Sequence, residues 1–486
     1  MEVINLEPLA LWQSFVQLNA IPRASKKEER VIAFMMDFGQ ALGLATLQDA
    51  VGNVVIKKPA TAGMENCKTV VLQSHLDMVH QKNSDTVFDF EEEGIRMYAQ
   101  GDWVKAEGTT LGADNGIGVA AIMALLSSSD ISHPPLEAMF TIDEETGMTG
   151  AKELDPANFS GTILLNLDTE EDDELTIGCA GGIDTNTRYN YQQEATQGQS
   201  TAFIVQVKGL LGGHSGMDIH KGRANANKLM NRLFYSLLQT VNIQLHSLDG
   251  GSLRNAIPRE STAVVVVPYG QKELFLLLLK QLTELLAEEY KVVEPALAVT
   301  INETELPARV MTGADFRKIV NALYAVPNGV FRMSPDIADL VEASTNLARV
   351  IVKDGEFITQ SLQRSSVEST KADVSNAVIA TFENIGCEVQ QGGDYPGWKP
   401  NPDSAILKLM VNLYQQTFNQ APKVEACHAG LECGILGSHF PGMDMISFGP
   451  TIRGAHSPDE CVQVSSVQKF WAYLTAVLKE IPKDDK

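Results

Sequence analysis

His75 and Asp77 stand two residues apart in Ser74-His-Leu-Asp-Met-Val79. In an extended chain alternate side chains point alike, so this spacing sets an imidazole and a carboxylate on one face. Imidazole suits zinc, and the carboxylate can steady it through the other ring nitrogen. The run Asp143-Glu144-Glu145 places acids side by side. Neighbouring side chains of an extended chain diverge, so one glutamate can ligate a cation while the other takes a proton from bound water. Asp114, in the turn Gly112-Ala-Asp-Asn-Gly116, offers two oxygens on a short side chain. Asp168 ends ILLNLD, and His456 lies in Arg453-Gly-Ala-His-Ser-Pro. Each residue taken singly has an ordinary alternative: a polar strand end for His75 and Asp77, a helix N-cap for Asp114, an unremarkable loop for His456. Together they are the donor types of a metal-bearing hydrolytic centre.

The elements that position them follow from hydrophobic runs. VVLQSHLD (70–77), MFTIDEE (139–145) and ILLNLD (163–168) each end in these residues, and MISFGP (445–450) leads on to His456. Short apolar runs read as buried strands, and residues just beyond the carboxyl ends of parallel strands share one crevice. Strands near 53–57, 70–75, 136–142 and 162–168 alternate with a helix at 117–126 and a short helix after Thr149. That alternation predicts an α/β domain with a mostly parallel sheet. Ser25-Lys-Lys-Glu28 reads as a capping box ahead of a helix carrying Val31, Ile32, Met35, Met36 and Leu42.

Past residue 188 the rhythm changes. The polar, aperiodic stretch 189–199 reads as a hinge. Strand 202–208, helix 222–240, strand 261–267 and helix 272–289 form one set. Strand 297–302, helix 313–325, strands near 345–352 and 356–363, and helix 367–384 form a second set of similar order and different sequence. Helix 403–417, a strand at 443–448 and helix 464–479 follow. Because His456 falls in this last part, residues 1–188 and 389–486 are expected to make one catalytic domain, with an α+β lid of 189–388 inserted.

Composition bounds the partners. A chain of 486 residues exceeds what one core usually supports. Lys+Arg 38 against Asp+Glu 61 gives a net charge of -23, which repels phosphate backbones and anionic lipid and excludes a nucleic-acid binder. The most apolar stretch, 274–279, is far shorter than the ~20 residues that span a bilayer. Six scattered cysteines with no CxxC pair, and no basic leader, point to reduced thiols and the cytoplasm. Charge also argues for a pair of metals. Two divalent cations are balanced by Asp114, Glu145, Asp168 and one bridging hydroxide, with His75 and His456 neutral; such pairs sit about 3.5–4 Å apart.

SHLDMV, GADNGIG, DEETG, NLDTEE, GGHSG and GAHSP, in this order, resemble the co-catalytic zinc peptidase family that includes aminoacylases, glutamate carboxypeptidases, tripeptidases and dipeptidases. The resemblance implies that His75 and Asp168 hold one zinc, Glu145 and His456 the other, and Asp114 bridges them. Glu144 is then the general base and Asp77 the partner of His75. Aspartate at 168 is similar to the aminopeptidase and dipeptidase branch. Cobalt or manganese are workable substitutes for zinc. In the lid, His214 matches the family histidine that reaches the substrate carbonyl, often from the opposite subunit. Asn255 matches a lid asparagine, Arg364 suits the substrate carboxylate, and Gly430 in HAGLECG lines the substrate floor. His428 and Glu432, in the same stretch, are weighed for substrate contact without being assigned it. The family's usual lid is one ferredoxin-like unit, whereas 190–385 is long enough for two. The implied activity is hydrolysis of unblocked dipeptides, carnosine-like ones with C-terminal histidine favoured, by a cytoplasmic homodimer paired through the lid. A tripeptidase or an N-acyl amino acid deacylase is the alternative within the family, and a non-catalytic metal-binding scaffold the alternative outside it.

Overall fold

Val70–His75 and Leu136–Thr141 are buried at every residue, the pattern of strands covered on both faces. In a computed structural model of the chain, which describes residues 2–196 and 198–484, they lie side by side in parallel with His75 opposite Thr141. The chain divides into two compact units. One comprises Met1–Gly178, Pro400–Ala426 and Leu431–Lys486; the other comprises Cys179–Lys399 and Cys427–Gly430.

The first unit is built on an eight-stranded sheet. Its order is Ala45–Gln48, Val54–Lys58, Leu136–Thr141, Val70–His75, Ile163–Asn166, Asp444–Ser447, Glu174–Cys179 and Lys423–Cys427. The four central strands are parallel. Ala45–Gln48 and Val54–Lys58 run antiparallel on one side, and Glu174–Cys179 pairs antiparallel with Asp444–Ser447 on the other. The sheet is therefore mixed, parallel only where the site residues emerge. Helix Ala113–Ser127 is apolar all round and almost wholly buried, as a helix inside a core must be. Gly118 lets it approach the sheet, since a Cβ there would sit 2.5 Å from Ser74 Oγ.

The second unit carries a nine-stranded antiparallel sheet. Ser200–Lys208, helix Ala226–Leu237, Gln244–Gly251, Ser261–Pro268, helix Lys272–Tyr290 and Ala298–Thr304 follow as βαββαβ, with the last strand beside the first and the third between first and second. This is the ferredoxin-like order. Gly181–Asn190, helix Gly313–Ala325, Val341–Lys353, Glu356–Ser365, helix Glu368–Glu383 and Glu388–Tyr395 repeat it, with the whole first half inserted after their opening strand. Gln244–Gly251 pairs with Val341–Lys353, so the halves join second strand to second strand. They share one core, which includes Phe203, Leu233, Phe275, Phe316, Phe357 and Phe382.

The sequence boundaries at 188/189 and 388/389 fall within Gly181–Asn190 and at the start of Glu388–Tyr395. These two strands pair with each other in the second sheet, so that unit begins earlier and ends later than expected. The stretch 189–199 is likewise internal to this unit. It closes Gly181–Asn190 and supplies Gln193–Ala195, which pairs with Arg309–Met311; Gln197 of this stretch lies outside the described residues. Among the described residues no helix is long and apolar enough to cross a membrane.

Candidate active site

Parallel register carries the predicted metal ligands to one edge of the first sheet. His75 closes its own strand; the Asp143–Glu145 run follows Leu136–Thr141 and Asp168 follows Ile163–Asn166. Nε2 of His75 lies 3.3 Å from Oδ1 of Asp114 and 3.6 Å from Oδ1 of Asp168. Nε2 of His456 lies 3.2 Å from Oδ2 of Asp114 and 2.9 Å from Oε2 of Glu145. The two oxygens of Asp114 thus face two different histidines, as a bridging carboxylate must. His75 with Asp114 and Asp168, His75 with Glu144 and Glu145, and Asp114 with Glu145 and His456 each gather ligand atoms within 4.8 Å. Among the described residues Oε1 of Glu145 and Oδ1 of Asp168 are buried without a hydrogen-bond partner. Carboxylate oxygens are costly to bury so, and a divalent cation would satisfy them. The donor set fits the metal pair the sequence implies.

The electrostatics say the same. Burial pushes the Asp114 carboxyl up, but the hydrogen bonds from His456 and His75 outweigh it and hold it well below the usual range. Contacts with Asp114 and Glu145 raise His456 to about 11. Burial alone would lower His75, yet Asp168, Asp114 and Asp77 raise it well above its ordinary value. Asp168, buried among other carboxylates, is pushed up to about 7. Crowded acids held together by histidine protons are what a cation site looks like when only its side chains are counted.

Local structure explains the placement. Gly112, at φ 71, turns the chain ahead of the helix, and Asp114 at φ -82, ψ 109 is not itself helical. Asn115 Nδ2 donates to the Leu167 carbonyl at 2.6 Å, fixing this turn against the strand that delivers Asp168. Asp77 is fully buried and its Oδ1 is 3.5 Å from His75 Nδ1. It accepts hydrogen bonds from the Glu144 N–H at 3.0 Å, the Glu145 N–H at 3.2 Å and the Ser25 hydroxyl at 2.8 Å. One carboxylate therefore orients the first histidine and the loop of both glutamates.

The expected capping box is not formed. Helix Glu29–Ala41 starts from Glu28 with no side-chain cap. Ser25 is used on Asp77, and the buried Glu28 carboxylate accepts from the N–H groups of Lys26 at 2.9 Å and Asp143 at 3.0 Å. Both side chains that would have capped the helix brace the site instead.

The residues predicted for the lid gather in the second unit. His214 forms a bridge with Ala256, and the Ser215 N–H donates to the Asn255 carbonyl at 2.8 Å, so His214 and Asn255 lie on adjoining segments. Nδ1 of His214 accepts from the N–H groups of Gly216 at 3.2 Å and Met217 at 3.0 Å. Burial and the Arg364 charge lower its pKa. The imidazole is thus neutral with its proton on Nε2, the form that donates to a developing oxyanion. Arg364 is buried and donates from Nη1 to the Tyr395 hydroxyl at 2.8 Å; its Nε is buried without a partner. Gly430 packs on the same tyrosine, where a Cβ would stand 3.0 Å from the ring.

Tyr395 escapes sequence reasoning, and His428 and Glu432, weighed there without a role, are placed by the structure. Tyr395 orients Arg364 but sits in a turn-rich polar stretch. His428, whose Nε2 is 2.7 Å from Ser344 Oγ, is held neutral with a pKa lowered to about 3, chiefly by burial. Glu432, pushed up to about 7 by burial, accepts from Gln73 Nε2 at 2.6 Å and Thr141 Oγ1 at 2.8 Å.

A sequence profile described as peptidase family M20/M25/M40 matches residues 71–480. The chain is 41% identical over 481 residues, 99% of each protein, to the cytosol non-specific dipeptidase of Escherichia coli. The crystal structure of aminoacylhistidine dipeptidase from Vibrio alginolyticus superposes with a TM-score of 0.95 at 42% identity, covering 100% of this chain and 99% of that one. Aminopeptidase PepT from Bacillus cereus shares the fold alone, with a TM-score of 0.57 at 14% identity over 98% of this chain and 99% of that one.

Proposed function

The chain belongs to peptidase family M20/M25/M40, and on that premise we propose that it is a two-zinc dipeptidase acting on unblocked dipeptides, Xaa-His substrates such as carnosine among them. Support for the substrate class comes from the full-length likeness to proteins named as dipeptidases. The single observation that carries the chemistry is Asp114, whose two oxygens face His75 and His456 respectively.

In this reading His75 and Asp168 would hold one cation, Glu145 and His456 the other, and Asp114 would reach both. The imidazole and carboxylate donors suit zinc, with cobalt or manganese as substitutes. The pair, when bound, polarises the scissile carbonyl and makes water a nucleophile at neutral pH. Glu144 would take a proton from the attacking water and return it to the leaving amine. Burial, with Asp168, Glu432 and Glu145 nearby and His75 opposing, pushes its carboxyl well above the usual range. Asp77 keeps His75 in one tautomer and the Glu144 loop in place. His214 donates from Nε2 to the carbonyl oxygen as it gains charge. Arg364 takes the substrate's terminal carboxylate, its second contact being the Tyr395 hydroxyl, while Asn255 and Gly430 line the same subsite. A homodimer formed through the second unit, in the cytoplasm, completes the proposal.

Metal analysis of the purified protein coupled to a substrate panel tests it. Two equivalents of zinc and preferential cleavage of free dipeptides are expected. A preference for tripeptides or N-acyl amino acids overturns the substrate class, and zinc bound without any turnover overturns the enzyme.

A further inference from the structure

Two charged residues outside the proposed ligand set are buried beside it. Arg23 is fully buried and Glu460 is 3% exposed. Nη1 of Arg23 donates to the carbonyls of Leu76 at 2.9 Å and Asp77 at 3.1 Å, immediately after His75. Its Nη2 donates to the Gly112 carbonyl at 2.6 Å and to Asn19 Oδ1 at 3.0 Å. Glu460 grips the same turn from its other side. Oε2 accepts from the N–H groups of Leu111 at 2.7 Å and Gly112 at 2.9 Å, and Oε1 from those of Ala113 at 2.8 Å and Asp114 at 3.1 Å. Gly112 is therefore held through its carbonyl by the guanidinium and through its N–H by the carboxylate. Glu460 also belongs to the His456 loop, its own N–H bonded to the Ser457 carbonyl at 3.0 Å.

The glycines of the turn exist for this contact. A Cβ at Gly112 or Gly116 would come within 2.4 or 2.6 Å of Arg23 Nη2. Burying a cation and an anion each costs several kcal/mol unless hydrogen bonds compensate; among the described residues Arg23 Nε has no partner, while both Arg23 Nη groups and both Glu460 oxygens bond chiefly to backbone of the segments that bear His75 and Asp114. Arg23, lowered to about 10 by burial with Glu460 and Asp77 opposing, stays charged at neutral pH.

We propose that Arg23 and Glu460 are positioning residues that clamp the 111–114 turn from both sides and so fix the separation of the two cation positions. This rests on the ligand assignment above. Glu460→Gln turns an amide NH₂ toward two backbone N–H donors. Arg23→Lys keeps the charge but loses the fork that spans two segments. The test is calorimetric titration of zinc into the stripped full-length protein, with the visible absorption of the cobalt(II)-substituted form as a second readout. In each variant at least one of the two binding steps should weaken about 10–100-fold, the range for partners that orient ligands, and the cobalt spectrum should shift from the parent's. If Glu460→Gln fails to fold, Arg23→Lys decides by the same two readouts. Two cations bound with parental affinity and parental spectrum overturn the clamp even if turnover falls. A parent that takes fewer than two cations removes the ligand assignment and the clamp with it.

Discussion

Asp77→Asn changes one oxygen for an NH₂ group and almost nothing in volume. Oδ1 of Asp77 faces the Glu144 N–H at 3.0 Å and Oδ2 faces the Glu145 N–H at 3.2 Å. Whichever way the amide turns, its NH₂ meets a backbone donor, and one buried N–H is left without an acceptor. That costs about 1–3 kcal/mol, roughly 5- to 150-fold at 1.4 kcal/mol per tenfold. The strain falls on the loop that carries Glu144 and Glu145, and His75 also loses the charge that steadies Nδ1. Zinc affinity and kcat/KM should both fall within that range, measured by calorimetry and by dipeptide hydrolysis. Acid gives a second reading. Burial would raise the Asp77 carboxyl, but His75, the Glu144 N–H and Ser25 hold it below its ordinary value. A depressed carboxyl contributes stability above its unfolded pKa of ~3.9 and loses it as pH falls through the folded value. The stability gap between metal-free parent and variant should therefore close below about pH 4. An Asp77→Asn protein matching the parent within twofold in zinc affinity and turnover refutes the reasoning.

Glu144→Gln should bind zinc as the parent does while kcat drops about 10²–10⁴-fold, the usual range for a general base; loss of zinc together with activity would make it a ligand instead. His214→Ala should lower kcat about 10²–10³-fold with zinc stoichiometry unchanged, and a change confined to KM would deny it the oxyanion role. Metal uptake should release protons, because His75 is raised and His456 sits at about 11 among the acids. Those protons are present below these values and must leave for a cation to bind, so zinc affinity should climb as pH rises toward them. Calorimetry in buffers of different ionisation enthalpy measures the release, and none at pH 7 contradicts it.

The site's carboxyl-end placement was legible because its strands are short runs that open apolar and lead into a donor, VVLQSH and ILLN among them. Parallel register did the rest. The capping box misled because Ser25 and Glu28 match a local pattern while their side chains serve Asp77 and Asp143, far along the chain. The nested βαββαβ repeat was only half visible. Three of its strands, GGIDTNTRYN, QLHSLDGG and EVQQGGDY, are polar or glycine-rich, since an antiparallel sheet with one exposed face asks for no continuous apolar run. Arg23 and Glu460 left no sign at all: two buried charges bonded to backbone depend on the turns they meet, and no spacing encodes those.

The claim beneath all of this is that Asp114 bridges two cations. Anomalous diffraction at the zinc edge from crystals of the zinc-loaded protein tests it directly. Two peaks about 3.5–4 Å apart, one beside His75 and Asp168 and the other beside Glu145 and His456, each touching one Asp114 oxygen, are expected. A single peak, or two that leave Asp114 uncoordinated, would contradict it.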